Sequence, residues 1–493
     1  MKKTICLMLL LVLALPLSLY ACNSPSDPSI SAVSTSNTTL IQSTETDPVE
    51  TEIDYYSDLP QKTYDDYEFR VMTAYSNYAL TAFDSEKITG DTLSDAIYSR
   101  NRYVEEKLNI KIVETKGVKD DYSAVDNMLR AICASGDDLF DIMFSEASIS
   151  APSALCGYMT DLHSVSDLNL EKPWWEQSSV NDYQIDGKLF FVHSAMHLHY
   201  YESLYLIMFN RKLETDYNLD NHYKTVNDGN WTYDKLYENA KIVSGDKNGD
   251  GIMNAVDDVF GISYGTNMPV YFAMSAGVKY TERQTDGTVA FVGINDNTVN
   301  TLEMLNSIFS DQSLILTSQT VGVSLYANEI YSVFEANNTL YMAEVLGRVK
   351  EMRSMDSDFG LLPLPKYDVN QEQYISTSYA GAAVMFIPST NKNYDEIGVI
   401  LENIAAMSYK TVIPAYYEVN ISGKQVRDEE SIQMLDIMLS NTQTDISLVY
   451  GWANISSCVN AIVNNSLPIA STYKSISRTM ETNLESFNNT KLD

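Results

Sequence analysis

The chain is 493 residues long, 45% of them apolar, with 33 basic residues against 66 acidic ones and a net charge of −33. Such a charge is repelled by nucleic acid and by anionic membrane surfaces, so neither is expected as a partner. Five cysteines are too few for a disulfide scaffold at this length.

Lys2 and Lys3 precede an apolar run from Ile5 to Leu19, long enough for an export signal and short for a membrane span. Leu19-Tyr20-Ala21-Cys22 resembles a bacterial lipoprotein processing site, although Tyr20 is bulkier than the small residue usual there. The resemblance implies that residues 1–21 are a signal cleaved before Cys22, whose thiol then carries a diacylglyceryl group. Two acyl chains hold a protein on the outer face of the cell membrane, where one chain holds it only marginally. Residues 22–60 are rich in Ser, Thr, Asp and Pro and cannot bury enough surface to fold, so they read as a tether. Roughly 430 residues follow, more than one ordinary core, which suggests two lobes. The cysteines left after processing, Cys133, Cys156 and Cys458, leave a bridge between Cys133 and Cys156 open.

Tyr67, Phe69 and Val71 alternate with Glu68 and Arg70, the period of a half-buried strand. Leu93, Ile97, Val104 and Leu108 share one helical stripe, with Asn109 as the stop before a short strand at Ile110 to Val113. "VDNMLRAICASG" reads as a helix ended by Gly136, and "LFDIMF" as a buried strand. Strand–helix–strand–helix–strand order implies parallel pairing with right-handed crossovers. "KLFFVHS" and "SLYLIMFN" read as further strands, "TYDKLYENAKIV" as a helix capped by Thr232, and "TVNTLEMLNSIFS" as another helix. The fold class is α/β.

"YLIMFNRKLETDYNL" (205–219), "NWTYDKLYENAKIVSGDKNGDG" (230–251), "DFGLLPLPKYDVNQEQY" (358–374) and "PAYYEVNISGKQVRDEESIQMLDIM" (414–438) resemble the large extracellular solute-binding proteins of bacterial ABC importers. Within these they resemble the sugar-binding family 1 group found in Firmicutes. The resemblance runs from about Tyr67 over nearly the whole mature chain. It implies a two-lobed, type II periplasmic-binding-protein-like fold with a hinge and a ligand cleft between the lobes. Placed on this chain, residues 61–197 are the first lobe, 198–373 the second, 374–410 a return to the first and 411–493 the rest of the second. Crossings are implied near His193–Tyr200, Tyr374–Ser378 and Tyr409–Ala415. The implied partners are a carbohydrate and the transmembrane subunits of an ABC permease, with the receptor itself a monomer.

"DKNGDGIMNAVDD" places Asp246, Asn248 and Asp250 at positions 1, 3 and 5 of an EF-hand-like loop. Gly251 stands at the bend, Ile252 offers its carbonyl at 7, Asn254 sits at 9 and Asp257 at 12. Alternate donors on a turning loop surround Ca²⁺, and a terminal Asp in place of Glu weakens the affinity. The pattern also resembles a dockerin repeat, but dockerins use two and here there is one. A structural Ca²⁺ clamp is therefore expected, with an empty Asx-rich turn as the alternative.

Chemistry finds little support. "GISYG" matches a nucleophile elbow with Ser263 as nucleophile, yet hydrolases of that fold place the histidine after the serine, and all five histidines precede it. His197 and His199 with Glu202 form a possible metal group, although histidines lining a hinge or sugar site are the better reading. A binding protein and not an enzyme is expected, with a secreted carbohydrate-active enzyme or a surface adhesin as the competing class.

A sugar needs flat rings for its CH faces and carboxylates or amides for its hydroxyls. Ser145 and Glu146 stand at the carboxyl end of a buried strand, where open α/β sheets bind ligands. Tyr200, Tyr201 and Glu202 open the first crossing, where strand alternation turns only one tyrosine to the cleft. "MAEVLGR" puts Glu344 and Arg348 on one helical face. Trp452 and Tyr450 are at strand spacing for stacking, one of Trp174 and Trp175 rims the site, and Tyr379 and Tyr416 are further candidates. With 34 tyrosines, most are simply packing or surface.

Overall fold

Two sheets, each flanked by its own helices, organise the computed structural model, which describes residues 56–74, 83, 87–317, 328–421 and 429–492. These belong to one unit beginning at Asp54. The export signal, Cys22 and most of the tether lie outside the described residues. In chain order the strands are β1 (Tyr67–Thr73), β2 (Ile110–Lys116), β3 (Ile142–Glu146), β4 (Tyr205–Asn210), β5 (Phe260–Tyr264), β6 (Thr281–Arg283), β7 (Val289–Phe291), β8 (Ile315–Thr317), β9 (Thr339–Val345), β10 (Phe359–Leu362) and β11 (Ala383–Phe386).

The first sheet has the order β11-β3-β1-β2, with β1 parallel to β2 and β3 and β11 antiparallel to β3. The helix Thr92–Leu108 connects β1 to β2 because Leu93, Ile97, Val104 and Leu108 bury one stripe. Asp91 accepts the Ser94 N–H at its start, and Asn109, left-handed at φ 52°, ends it. Gly136 at φ 79° ends the next helix, Ala124–Ser135, in the same way.

The second sheet has the order β10-β4-β9-β5-β8. β4 is an interior strand and buried along its whole length, which is why "YLIMFN" is mostly apolar on both faces. The helix Tyr233–Val243, capped by Thr232 on the Lys235 N–H, packs on β5 and β9. The helices Pro269–Ser275, Asp296–Phe309 and Ile455–Asn465 pack together, with the Phe272 and Phe309 rings stacked at 4.8 Å.

"KLFFVHS" forms no regular strand. Leu189 to Val192 are buried, but Val192 alone bridges Met385, with N–H···O distances of 3.1 and 2.9 Å. An apolar run signals burial without specifying a ladder.

Three chain segments lie side by side between the sheets. The outgoing segment contains the short helix His199–Glu202, after which Leu204 bridges Ser378 antiparallel. Tyr205 N–H reaches Thr377 O at 3.0 Å and Tyr379 N–H reaches Ser203 O at 2.9 Å. On its other side the returning segment pairs with Thr442: Ser376 N–H donates to Asn441 O at 3.0 Å, and Gln443 N–H to Ser376 O at 2.8 Å. The third strand-like segment is thus Asn441–Gln443. The chain at Tyr409–Ala415 is helical instead, a π-turn over Ser408–Val412 joining the helices Tyr394–Met407 and Ile413–Ile421. Both pack on the Thr92–Leu108 helix, whose buried Arg100 donates to Ser408 Oγ at 2.7 Å.

Several ligand candidates belong to the core. Trp174 and Trp175 are both buried, Trp175 completely. Trp175 Nε1 donates to the Glu402 carboxylate at 3.1 Å, and Trp174 stacks on Tyr56. A concavity of about 810 Å³ opens beside Trp174 and Glu402, on the first sheet's side of the molecule. "VYGWANIS" is not a strand: Tyr450 ends a short helix, Gly451 turns left-handed, and Trp452 begins a 3-10 turn. The two rings stack on each other at 5.3 Å and Phe487 closes over both, so their mutual contact replaces the expected sugar. Tyr416 is fully buried.

Gly398 lies in the Tyr394–Met407 helix where an added Cβ would sit 1.8 Å from the Ser166 carbonyl oxygen. Alanine gains about 1 kcal/mol of helix propensity, but backbone overlap costs about 3 kcal/mol. Gly398→Ala is therefore expected to lower stability in urea unfolding, and a gain in stability would refute the close packing.

Burial pushes the Glu402 carboxyl up to about 7 from its ordinary 4.5, against the opposing pull of the Trp175 and Asn169 N–H groups. A carboxyl raised in the fold stabilises fully below its unfolded pKa and loses that contribution as pH rises through the folded value. The stability difference between wild type and Glu402→Gln should fall by up to about 3 kcal/mol from pH 4.5 to 8. Parallel pH profiles of the two proteins would contradict it.

Candidate functional site

β3 continues through Ser145 to Glu146 and ends at the edge where β11 and the returning segment meet it. Glu146 pairs with Ala383, and Ala147 N–H reaches Ala382 O at 3.3 Å. A turn follows, Ala382 N–H to Tyr379 O at 2.8 Å, and the Tyr379 ring lies over Gly381, where an added Cβ would meet Cε1 at 2.5 Å. Tyr379 is 39% exposed, an unusual state for a tyrosine beside so much buried surface.

The second sheet supplies the other half. Tyr205, the first residue of β4, stacks against Tyr271 with ring centroids 4.0 Å apart, and the Tyr271 hydroxyl lies 3.4 Å from Ala380 N. Burial holds the Tyr205 hydroxyl well above its ordinary pKa, and Tyr271 and then Glu344 push it the same way. Glu344 accepts the Tyr331 hydroxyl at 3.0 Å and the Val345 N–H at 2.9 Å, with Arg348 acting on its charge. Glu344 is on β9 and Arg348 is in the 3-10 turn Leu346–Ser354, so the expected helical face does not exist. β4–β9 register decides the matter: Leu206 faces Glu344 and Tyr205 faces Val345.

Electrostatics at this edge are those of desolvated acids. Burial raises the Glu146 carboxyl to about 7 and raises Glu344 as well, the latter against its two donors and Arg348. Glu146 begins the helix Ala147–Ala154 but its side chain does not cap it. Tyr205, Tyr271 and Tyr331 escaped the sequence reading. Tyr205 opens the strand "SLYLIMFN", and the register that sets it opposite Val345, one residue from Glu344, is a long-range fact.

The remaining candidates sit behind this edge. Ser145 is buried, and its hydroxyl has no partner among the described residues. Tyr200 and Tyr201 are both buried because they lie in a helical turn and do not alternate as on a strand. Tyr200 stacks on His193 at 4.6 Å, and Tyr201 meets Tyr200 and Tyr417 edge-on. Glu202 is buried with Lys350 Nζ 3.6 Å from its carboxylate. His197 is pushed down to about 3 by burial and by His199 and His193, and His199 to about 4 by burial and by His193. His199 Nδ1 accepts the Ala383 N–H at 3.1 Å and His197 Nδ1 accepts the His199 N–H at 3.3 Å, which makes both structural acceptors. Ser263 is buried in β5 with its hydroxyl 3.4 Å from Tyr341 O, so it is no exposed elbow. Cys133 and Cys156 are free thiols, as is Cys458.

In the acidic loop, the Asp246 carboxylate accepts the N–H groups of Gly249 and Gly251 at 2.6 and 2.7 Å. Asn248 Oδ1 accepts the Asp250 N–H at 3.0 Å, and Asp250 Oδ1 accepts that of Ile252 at 2.7 Å. Gly251 has φ 80°, and Asn254 Oδ1 accepts the N–H groups of Val256 and Asp257 at 3.0 Å. These are nested Asx turns at positions 1, 3 and 5 of the loop. Asp257 is exposed, whereas Asp258 beside it is buried and holds the N–H groups of Lys247 and Asn254 at 2.8 Å. Among the described residues no three His, Cys, Asp or Glu side chains converge as a metal site.

No protein-family model matches the sequence, and no curated protein does. Solved structures match over most of their length. A sugar transporter protein of Rhizobium etli in an open conformation superposes with a TM-score of 0.58 at 12% identity, covering 84% of this chain and 99% of its own. The sugar-binding protein MalE of Xanthomonas citri gives 0.58 at 12%, with 85% and 97% covered. An ABC substrate-binding protein of Listeria monocytogenes in complex with cycloalternan gives 0.52 at 13%, with 86% and 100% covered. At such identities the likeness fixes architecture: this chain has the two-lobed α/β fold of those solute-binding proteins.

Proposed function

We propose that the chain is an extracellular receptor that captures an oligosaccharide between its lobes and delivers it to an ABC permease, performing no chemistry itself. The observation that carries this reading is the contact of the Tyr379–Ala382 turn, which adjoins Glu146, with Tyr271 and its partner Tyr205 on the second sheet's side, beside the end of β9 that carries Glu344 and leads to Arg348. Rings take the CH faces of a sugar, and carboxyl and guanidinium groups take its hydroxyls. A ligand touching both sides binds the closed form better and shifts the population toward closure. The neighbouring folds include a receptor holding cycloalternan, which is in keeping with an oligosaccharide.

On this reading the mature protein begins at Cys22, is a monomer, and stays on the outer face of the cell membrane through the lipid on that thiol alone. The loop from Asp246 to Asp257, with the Ile252 carbonyl, takes Ca²⁺ as a structural clamp between the Tyr233–Val243 helix and β5. Binding would require Asp257 to turn inward, and its cost makes the affinity low.

Isothermal titration with neutral tetrasaccharides, with reducing-sugar release followed in parallel, tests the receptor. Binding without cleavage is expected, and Tyr379→Ala should weaken it about tenfold. Turnover, or full affinity in the variant, would overturn the assignment. For the loop, EDTA should lower the melting temperature and Asp250→Ala should abolish that response; superimposable melting curves with and without chelator would remove the clamp.

A further inference from the structure

Glu146 is the group at the cleft edge that the fold leaves least provided for. It is half-buried, it does not cap the helix it precedes, and among the described residues no hydrogen bond or ion pair reaches its carboxylate. Among the described residues, the elements packed around it bring no positive charge. β11 (Ala383–Phe386) and the helix Ala147–Ala154 contain no charged residue. Thr73 on β1 donates to Glu114, and Arg130 on the neighbouring helix pairs with Asp126. From the short helix before β4, His199 is neutral and Glu202 is acidic, with Lys350 directed to it. Arg348, across the cleft, acts on Glu344.

We propose that the ligand places a positively charged amino group at Glu146, so that the substrate class is an amino-bearing oligosaccharide; this rests on the receptor reading above. A sugar hydroxyl would supply a hydrogen bond but leave the desolvated charge uncompensated, whereas an ammonium supplies both at once. The half-exposed Tyr379 ring, over Gly381 in the turn that leads to the strand partner of Glu146, offers a face that favours a cation as well as a pyranose. The chain's net charge of −33 raises the local concentration of cationic solutes around the whole receptor. Burial already holds the Glu146 carboxyl at about 7, so an arriving ammonium would draw off its proton and form the pair at neutral pH.

Titration of the full mature chain with cellotetraose, maltotetraose, the N-acetylglucosamine tetramer and the free glucosamine tetramer decides the matter. The glucosamine and cellotetraose skeletons differ only in the C2 substituent. The amino form is expected to bind about tenfold more tightly or better, with the advantage shrinking at high salt and falling to near unity in Glu146→Gln. A neutral tetramer binding as tightly as the amine, or a preference that survives Glu146→Gln, overturns the proposal while leaving the receptor intact. If the variant fails to fold, the salt dependence of the wild-type preference decides, and a salt-independent preference overturns it. Folded wild-type protein that binds none of the four removes the receptor reading as well.

Discussion

Backbone pairing at the crossings is the constraint on which the rest of the molecule depends. Wherever chain passes from one sheet to the other its N–H and C=O groups leave both ladders, and a buried unpaired group is costly. Here the three passing segments satisfy one another: Leu204 with Ser378, and Ser376 with Thr442. Each contact is a single bridge with one or two hydrogen bonds, not a sheet. Such a joint keeps two rigid cores in register while leaving few bonds to reorient when they rotate. It also sets the site, because Tyr379 and Tyr205 are the residues that immediately leave the joint on either side.

Much of the fold was legible because local signals agreed with burial. Thr232, Asn109 and Gly136 each punctuate helices where cap chemistry requires it, and the mostly apolar "YLIMFN" became a buried interior strand. The failures share one cause. "KLFFVHS", "MAEVLGR" and "VYGWANIS" are apolar or mixed stretches whose conformation depends on what lies beside them, and no period within so short a stretch records a partner far along the chain. Ala343 and Glu344 are strand because β4 and β5 flank them. Trp452 is core because Phe487 of the last helix covers it.

The candidate site was readable in outline and not in detail. Glu146 follows from the end of a buried strand, and Tyr379 from the returning segment, but Tyr205 and Tyr271 are indistinguishable in sequence from the other tyrosines. Contacts sort them where burial does not, since Tyr205 and Tyr271 are as buried as Tyr201: Tyr200 and Tyr201 pack on His193 and Tyr417, whereas Tyr271 reaches the returning segment at Ala380 and Tyr379 alone of these is exposed. The acids sort the same way. Glu202 and Glu402 are enclosed by donors or a cation, and Glu146 is not.

The π-turn over Ser408–Val412 has a developmental implication for the chain that follows it. Such a turn accommodates one residue more than an α-helix does, and each residue of an α-helix advances the side-chain direction by about 100°. The surplus residue therefore acts as a phase shifter: it lets the preceding helix keep its face on the Thr92–Leu108 helix while Tyr416 and Tyr417 are aimed elsewhere. Excising one residue there would restore ordinary winding and swing every later ring by more than a quarter turn.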